Sequence, residues 1–108
     1  MSEDVRANIA RYGVALPIVK SAIFQLDKIS SSEAATYQGS DPHFTYKAFT
    51  VMIPLINPQY IQFRDYLIDQ DIIDVLTGQL RRFLIVNEPE IHVMDGHWQF
   101  VCTKVRGT

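Results

Sequence analysis

Asp95-Gly96 lies between two runs in which apolar and polar residues alternate. That combination is the strongest short-range signal for a β-hairpin, because both turn residues accept a positive φ. A two-residue turn there sets Val93 opposite Trp98 and Ile91 opposite Phe100, and Cys102 continues the same apolar face. Met94, His92, His97 and Gln99 then fall on the other face. Thr77-Gly78 separates residues 72–76 from residues 80–86. Pairing Val75 with Leu80 places Asp74 opposite Arg81 as a cross-strand ion pair.

Upstream, residues 44–53 form another strand. Both its faces carry apolar groups, so it is central or lies against a partner. Pro54 and Asn57-Pro58 end it. Residues 14–26 are apolar and rich in β-branched side chains, but Pro17 has no N–H for a ladder. They give an edge strand, or a strand that starts after Pro17. Residues 59–76 fit two patterns. Ile61, Ile68, Ile72, Val75 and Leu76 share a helical face, and short strands at 60–63 and 72–76 fit as well, broken at Asp69-Gln70-Asp71. The β-branched Ile72, Ile73 and Val75 favour the strands.

The amino-terminal residues 3–12 predict a short helix. Ser2 or Asp4 can cap it, Val5, Ile9 and Tyr12 share one face, and Gly13 stops it. Asn8 at the i+3 place narrows the apolar stripe. So short a helix must dock on its own sheet or on a neighbouring subunit. Residues 27–43 are polar, small and rich in turn formers, and predict a long loop. One helix and five or six short strands at regular turn spacing predict a mainly β fold. It is a small antiparallel barrel or sandwich with a short N-terminal helix and a long loop, in a single domain over 1–108.

Composition excludes several classes. A chain of 108 residues, 47% hydrophobic and 20% charged, is not disordered. It buries about two thirds of its unfolded surface without a staple. The charge of −2, spread evenly along the chain, does not fit a dedicated nucleic-acid binder. One cysteine forms no intrachain disulfide. No apolar run approaches the roughly 20 residues of a membrane helix. The acidic start, Met-Ser-Glu-Asp, is unlike a secretory signal.

Candidate chemistry is sparse. His92 and His97 share a face of the last hairpin and, with Glu90 or Asp95, could hold a metal. No spacing matches a zinc motif, so solvated histidines are the preferred reading and neither a metal nor a cofactor is expected. Cys102 with His97 as base could be a nucleophile. Its place beside Trp98 and Phe100 makes it a buried, inert thiol instead. Asp65, Asp69, Asp71 and Asp74 lack the glycine and terminal glutamate of a calcium loop and read as solvated turn carboxylates. Arg81 and Arg82, adjacent on a strand, point to opposite faces, for an ion pair in the sheet or between subunits. There is no phosphate loop, dinucleotide fingerprint or Gly-x-Ser-x-Gly, so no enzyme is expected. Aromatics at 11% and a strand apolar on both faces exceed what one small core uses, which points to a homo-oligomer.

Residues 65–105 resemble a phage head–tail connector of the head-closure, or stopper, type. The likeness rests on an acidic turn and short apolar strand (Asp69-Gln70-Asp71-Ile72-Ile73), a Gly turn (Gly78), and an arginine-flanked aromatic strand (Arg82-Phe83-Leu84-Ile85-Val86). A closing hairpin then ends in Phe100-Val101-Cys102-Thr103-Lys104-Val105. The family's Gly-Asp turn is replaced by Asp69-Gln70-Asp71. The resemblance implies a non-enzymatic virion protein, made in the host cytoplasm and placed in the particle neck. It implies a homo-oligomeric ring, with a portal or adaptor protein above and a tail protein below. The ring continues the channel for double-stranded DNA without sequence-specific binding. On this reading Lys28, Ser31, Glu33, Tyr37, Asp41 and His43 belong to a channel or docking loop, and Val5, Ile9, Tyr12, Arg81 and Arg82 to inter-subunit or docking contacts. A tail terminator or tail-completion protein is the nearest alternative. A small ligand- or peptide-binding barrel, using the Pro17 strand as its edge, is the alternative of another class.

Overall fold

The structure, a computed structural model, describes residues 2–37, 43–51, 61–92 and 94–105. It is mainly β. Seven strands follow in the order β1 (Ser2–Ala10), β2 (Val19–Lys28), β3 (Thr45–Val51), β4 (Tyr66–Ile73), β5 (Leu80–Ile85), β6 (Glu90–His92) and β7 (His97–Lys104), with one short helix α1 (Ser31–Ala34) between β2 and β3. The sheet order is β3-β2-β1-β4-β5-β7-β6, every pairing is antiparallel, and β3 also pairs with β7. That pairing closes a six-stranded barrel, and β6 is the extra strand. β5 bonds to the carboxyl-terminal end of β7 and β6 to its start, so the two lie end to end along one side of β7.

The predicted amino-terminal helix is a strand instead. Val5 and Ile9 are four residues apart, a spacing that helix and strand share. Ala7 and Asn8 decide between them: Ala7 is fully buried between Val5 and Ile9, while Asp4, Arg6 and Asn8 point away. Val5 and Ile9 therefore pack inside their own barrel and are not a docking face. β2 begins after Pro17, as one of the two readings predicted, but it lies between β1 and β3 and is not an edge. Its register against β1 shifts between Ala7 and Ile9. Ser21 sits at this bulge with φ +48, and its N–H donates to Asn8 Oδ1 at 2.7 Å. The extra residue keeps Val19 and Ala22 both inside.

The predicted loop 27–43 is largely structured where it is described. β2 runs through Lys28, and Ser30 caps α1 by accepting from the Glu33 N–H at 3.2 Å. Residues 38–42, with Asp41, lie outside the described residues. So do 52–60, which carry the expected end of the 44–53 strand and the start of the 60–63 strand; Ile61–Phe63 is not a strand. β4 continues through Asp69-Gln70-Asp71, although its ladder to β5 is interrupted there, and Val75 and Leu76 lie in the turn beyond it.

Both carboxyl-terminal hairpins form at the expected turns, with registers moved by two residues beside each turn, and β4–β5 shifts further between Ile68 and Ile73. Ile91 faces Trp98 rather than Phe100, and His92 faces His97. The loop is longer than two residues: the His92 carbonyl accepts from the N–H groups of Asp95 and Gly96, and Gly96 takes φ +70. Val93 is outside the described residues. Ile73, not Val75, faces Leu80. A shift of two preserves the face of each side chain, so Trp98, Phe100 and Cys102 point inward as expected. Phe24 meets Phe100 edge to face at 6.0 Å, and Tyr46 meets Phe83 at 5.7 Å. Trp98, Phe24, Phe83 and Phe100 are almost fully buried, so the barrel is a packed scaffold rather than a container.

Candidate functional site

The inward row of each barrel strand ends in a charged or polar residue at one mouth. Alternation carries Val5 to Glu3, Leu26 to Lys28, Ala48 to Tyr46, Leu67 to Asp69, Phe83 to Arg81 and Cys102 to Lys104. Arg81 is the hub. Its Nε donates to Asp69 Oδ2 at 2.9 Å, and its Nη2 reaches Asp69 Oδ2 at 2.7 Å and Glu3 Oε2 at 3.0 Å. Asp69 is 1% exposed, and its Oδ1 accepts from the N–H of Asp71 at 2.9 Å. That bond replaces ladder bonds lost where the β4–β5 register shifts between Ile68 and Ile73. The expected Asp74–Arg81 pair therefore does not form. Asp74 reaches Lys104 at 3.4 Å and accepts from the Leu76 N–H at 2.9 Å. That backbone bond, aided by Lys104, holds the Asp74 carboxyl below its ordinary range. Burial, and then the nearby Glu3 charge, push the Tyr46 hydroxyl above its ordinary range.

The other mouth is closed in the same way. Arg11 and Asp65 extend the inward rows of β1 and β4, and Arg11 Nε and Nη2 donate to Asp65 Oδ1 and Oδ2 at 3.0 and 3.1 Å. Asp65, Asp69 and Asp74 are thus buried and paired, which corrects their reading as solvated turn carboxylates. Asp71 alone of the four is exposed, and it pairs with Arg6 at 2.8 Å. These networks join barrel strands at the two mouths.

Cys102 is fully buried, and desolvation raises its thiol pKa far above the ordinary value. His92 and His97 stack with centroids 4.6 Å apart and planes at 9°, and His92 Nε2 lies 3.2 Å from Glu90 Oε2. Among the described residues no three His, Cys, Asp or Glu side chains are grouped as a metal site. Among them, too, no helix is long and apolar enough to cross a membrane.

The surface also carries several large exposed apolar side chains. The β4–β5 hairpin ends in a tip where Val75 is 93% and Leu76 81% exposed, with Ile72 and Ile73 exposed behind them. Sequence reasoning missed this tip by placing 72–76 in a strand. On the far side of the barrel, Ile23 and Phe49 line an open groove of about 470 Å³ with Asp4, Gln25, Asp27, Thr50 and His97. The β1–β2 turn exposes Tyr12 at 91%, together with Leu16. Tyr12 is thus exposed, unlike Val5 and Ile9, with which it was expected to share a face.

The other expected contacts divide. Arg81 is taken up inside the subunit, while Arg82 is exposed with its guanidinium 4.5 Å over the Tyr66 ring. Lys28 borders a hollow of about 290 Å³ at the charged mouth with Ser2, Glu3, Leu26 and Tyr46. Ser31 and Glu33 are exposed on α1, and Glu33 approaches Lys47 at 3.7 Å. Tyr37 is half-buried after α1, and His43 is exposed in the turn before β3. The structure does not gather these residues into one site.

No protein-family model, curated protein or solved structure matches this chain.

Proposed function

We propose that the chain is a non-enzymatic structural subunit that works by self-association, and that it serves in a phage neck as a ring-forming head–tail connector of the head-closure type. The observation that carries self-association is the exposed apolar tip, Ile72, Ile73, Val75 and Leu76, mounted on a closed and rigid barrel. Large exposed side chains clustered on one hairpin mark a contact surface. The neck assignment rests on the resemblance over 65–105. In this role the ring docks on a portal or adaptor on one side and a tail protein on the other. Each barrel is filled, so the DNA path is the opening of the ring and not the interior of a subunit. A charge of −2 suits a wall that DNA slides past, because tight DNA binding requires neutralised phosphates.

The test is assembly without this chain. The connector reading predicts filled heads and complete but separate tails, together with the chain in mass spectra of intact particles. Joined particles formed in its absence contradict it. Heads joined to tails of uncontrolled length favour the tail-terminator reading. The outer edge of β6, unpaired among the described residues, also suits a peptide added as a strand, and tight capture of an extended peptide by the monomer would support the binding-module alternative.

A further inference from the structure

The strand order places the two apolar surfaces on opposite sides of the molecule. Round the barrel the order is β1, β2, β3, β7, β5, β4, so the β2–β3 wall lies half a circuit from β4–β5. Their charges are also complementary. The groove on β2–β3 is edged by Asp4 and Asp27; neither is within ion-pair distance of a cation among the described residues, and Lys47, opposite Asp27 on β3, approaches Glu33 instead. On the hairpin, Asp69, Asp71 and Asp74 are taken by Arg81, Arg6 and Lys104. That leaves Arg82 without a carboxylate partner among the described residues. Arg82 shares a small cleft with Asp74, Thr77 and Gln79 behind the tip, and its guanidinium lies over the Tyr66 ring.

We propose that the β4–β5 tip of one copy docks into the β2–β3 groove of the next, with Val75 and Leu76 against Ile23 and Phe49 and Arg82 beside Asp4 and Asp27. This rests on the reading of the chain as a self-associating ring subunit. The occupant is a second copy because this chain carries both halves of the match. Contacts of like with like do not satisfy them. Tip on tip sets Arg82 against Arg82, and groove on groove brings four carboxylates together. A head-to-tail contact between faces on opposite sides of a subunit uses both faces of every copy, and closes into a ring where the rotation permits. The groove, at about 470 Å³, has room for the Val75 and Leu76 side chains.

The experiment is light scattering on the full-length chain, comparing wild type with the tip variant V75D/L76D and the groove variant I23E. All three sites are exposed, so circular dichroism and melting serve as checks that each variant folds; D27R replaces I23E if that one does not. Each variant alone is expected to weaken association about 30-fold or more, as removal of a central contact does. Mixed in equal amounts, the two variants are expected to form 1:1 pairs and nothing larger, because the mixture retains one intact tip and one intact groove. R82D weakens association, and D27R on the mixing partner restores it. Undiminished association of V75D/L76D, or the lack of a 1:1 pair on mixing, overturns the proposal. Oligomers insensitive to every variant remove this contact and leave the ring reading standing. A wild type that stays monomeric at all concentrations removes both.

Discussion

Asp69 and Arg81 offer the sharpest test of how this barrel is held together. The Asp69 carboxylate does two jobs. Its Oδ2 takes Arg81, and its Oδ1 holds the N–H groups of Asp71 and Ile72 where the ladder is interrupted. Asp69→Asn keeps an acceptor for those N–H groups but removes the charge. Arg81→Met leaves a buried carboxylate facing an apolar chain. Breaking a fully buried pair from one side costs roughly 3–5 kcal/mol. Arg81 is 14% exposed and Glu3 also binds it, which lowers the expectation to about 2–3 kcal/mol for each single variant. Asp69→Ala removes the backbone bonds as well and should cost about 1 kcal/mol more. In a chain of this size a loss of about 3 kcal/mol lowers Tm by roughly 12 °C or more. The double variant should cost little more than the worse single one, giving a coupling of about 2 kcal/mol, within the range for residues in contact. The assay is urea unfolding of the four proteins at neutral pH, with m-values compared to confirm a common unfolded state. Additive single effects, or single effects below about 0.5 kcal/mol, refute a buried pair that closes the mouth.

Three further predictions follow from the same network and core. Asn8→Ala removes the acceptor for the Ser21 N–H at the β1–β2 bulge and should destabilise by about 1 kcal/mol in thermal melts; in a helix the same change would stabilise, because Ala is the better helix former. Asp74 has a folded pKa below its unfolded value, so its contribution is full above about pH 4 and fades as pH falls through the lower folded value. Asp74→Asn should therefore be less stable than wild type at pH 7, with the two converging in acid; a gap unchanged at low pH contradicts the assignment. Cys102 should resist a thiol reagent in the native protein and react fully in denaturant, and rapid native labelling would place the thiol elsewhere than in the core.

The sequence was informative wherever a feature depends on the parity of a strand. The Asp95-Gly96 and Thr77-Gly78 turns located both carboxyl-terminal hairpins. An error of two residues in register left Trp98, Phe100 and Cys102 on the correct face, because the side-chain period is two. Ion pairs were misassigned because a salt bridge depends on absolute register, and β4–β5 carries a further register shift between Ile68 and Ile73. Arg81 therefore pairs with Asp69 and Glu3 instead of Asp74. The amino-terminal strand was misread because Val5 and Ile9 satisfy both periodicities, and Ala7, a small residue and a good helix former, concealed the alternation. The burial of Asp65 and Asp69 was not legible. Their partners, Arg11 and Arg81, are 54 and 12 residues away and meet them only when the barrel closes. The exposed tip was hidden for a related reason: β-branched residues favour strands, and nothing local in Val75 or Leu76 says that the hairpin projects past the barrel.

Self-association is the central claim, and the mass of the wild-type chain in solution tests it most directly. Light scattering over a concentration series, with negative-stain images of the same sample, should show a rise toward one closed oligomer and ring-shaped particles. A single mass equal to one 12.4 kDa chain at every concentration, with no rings in the images, contradicts the account.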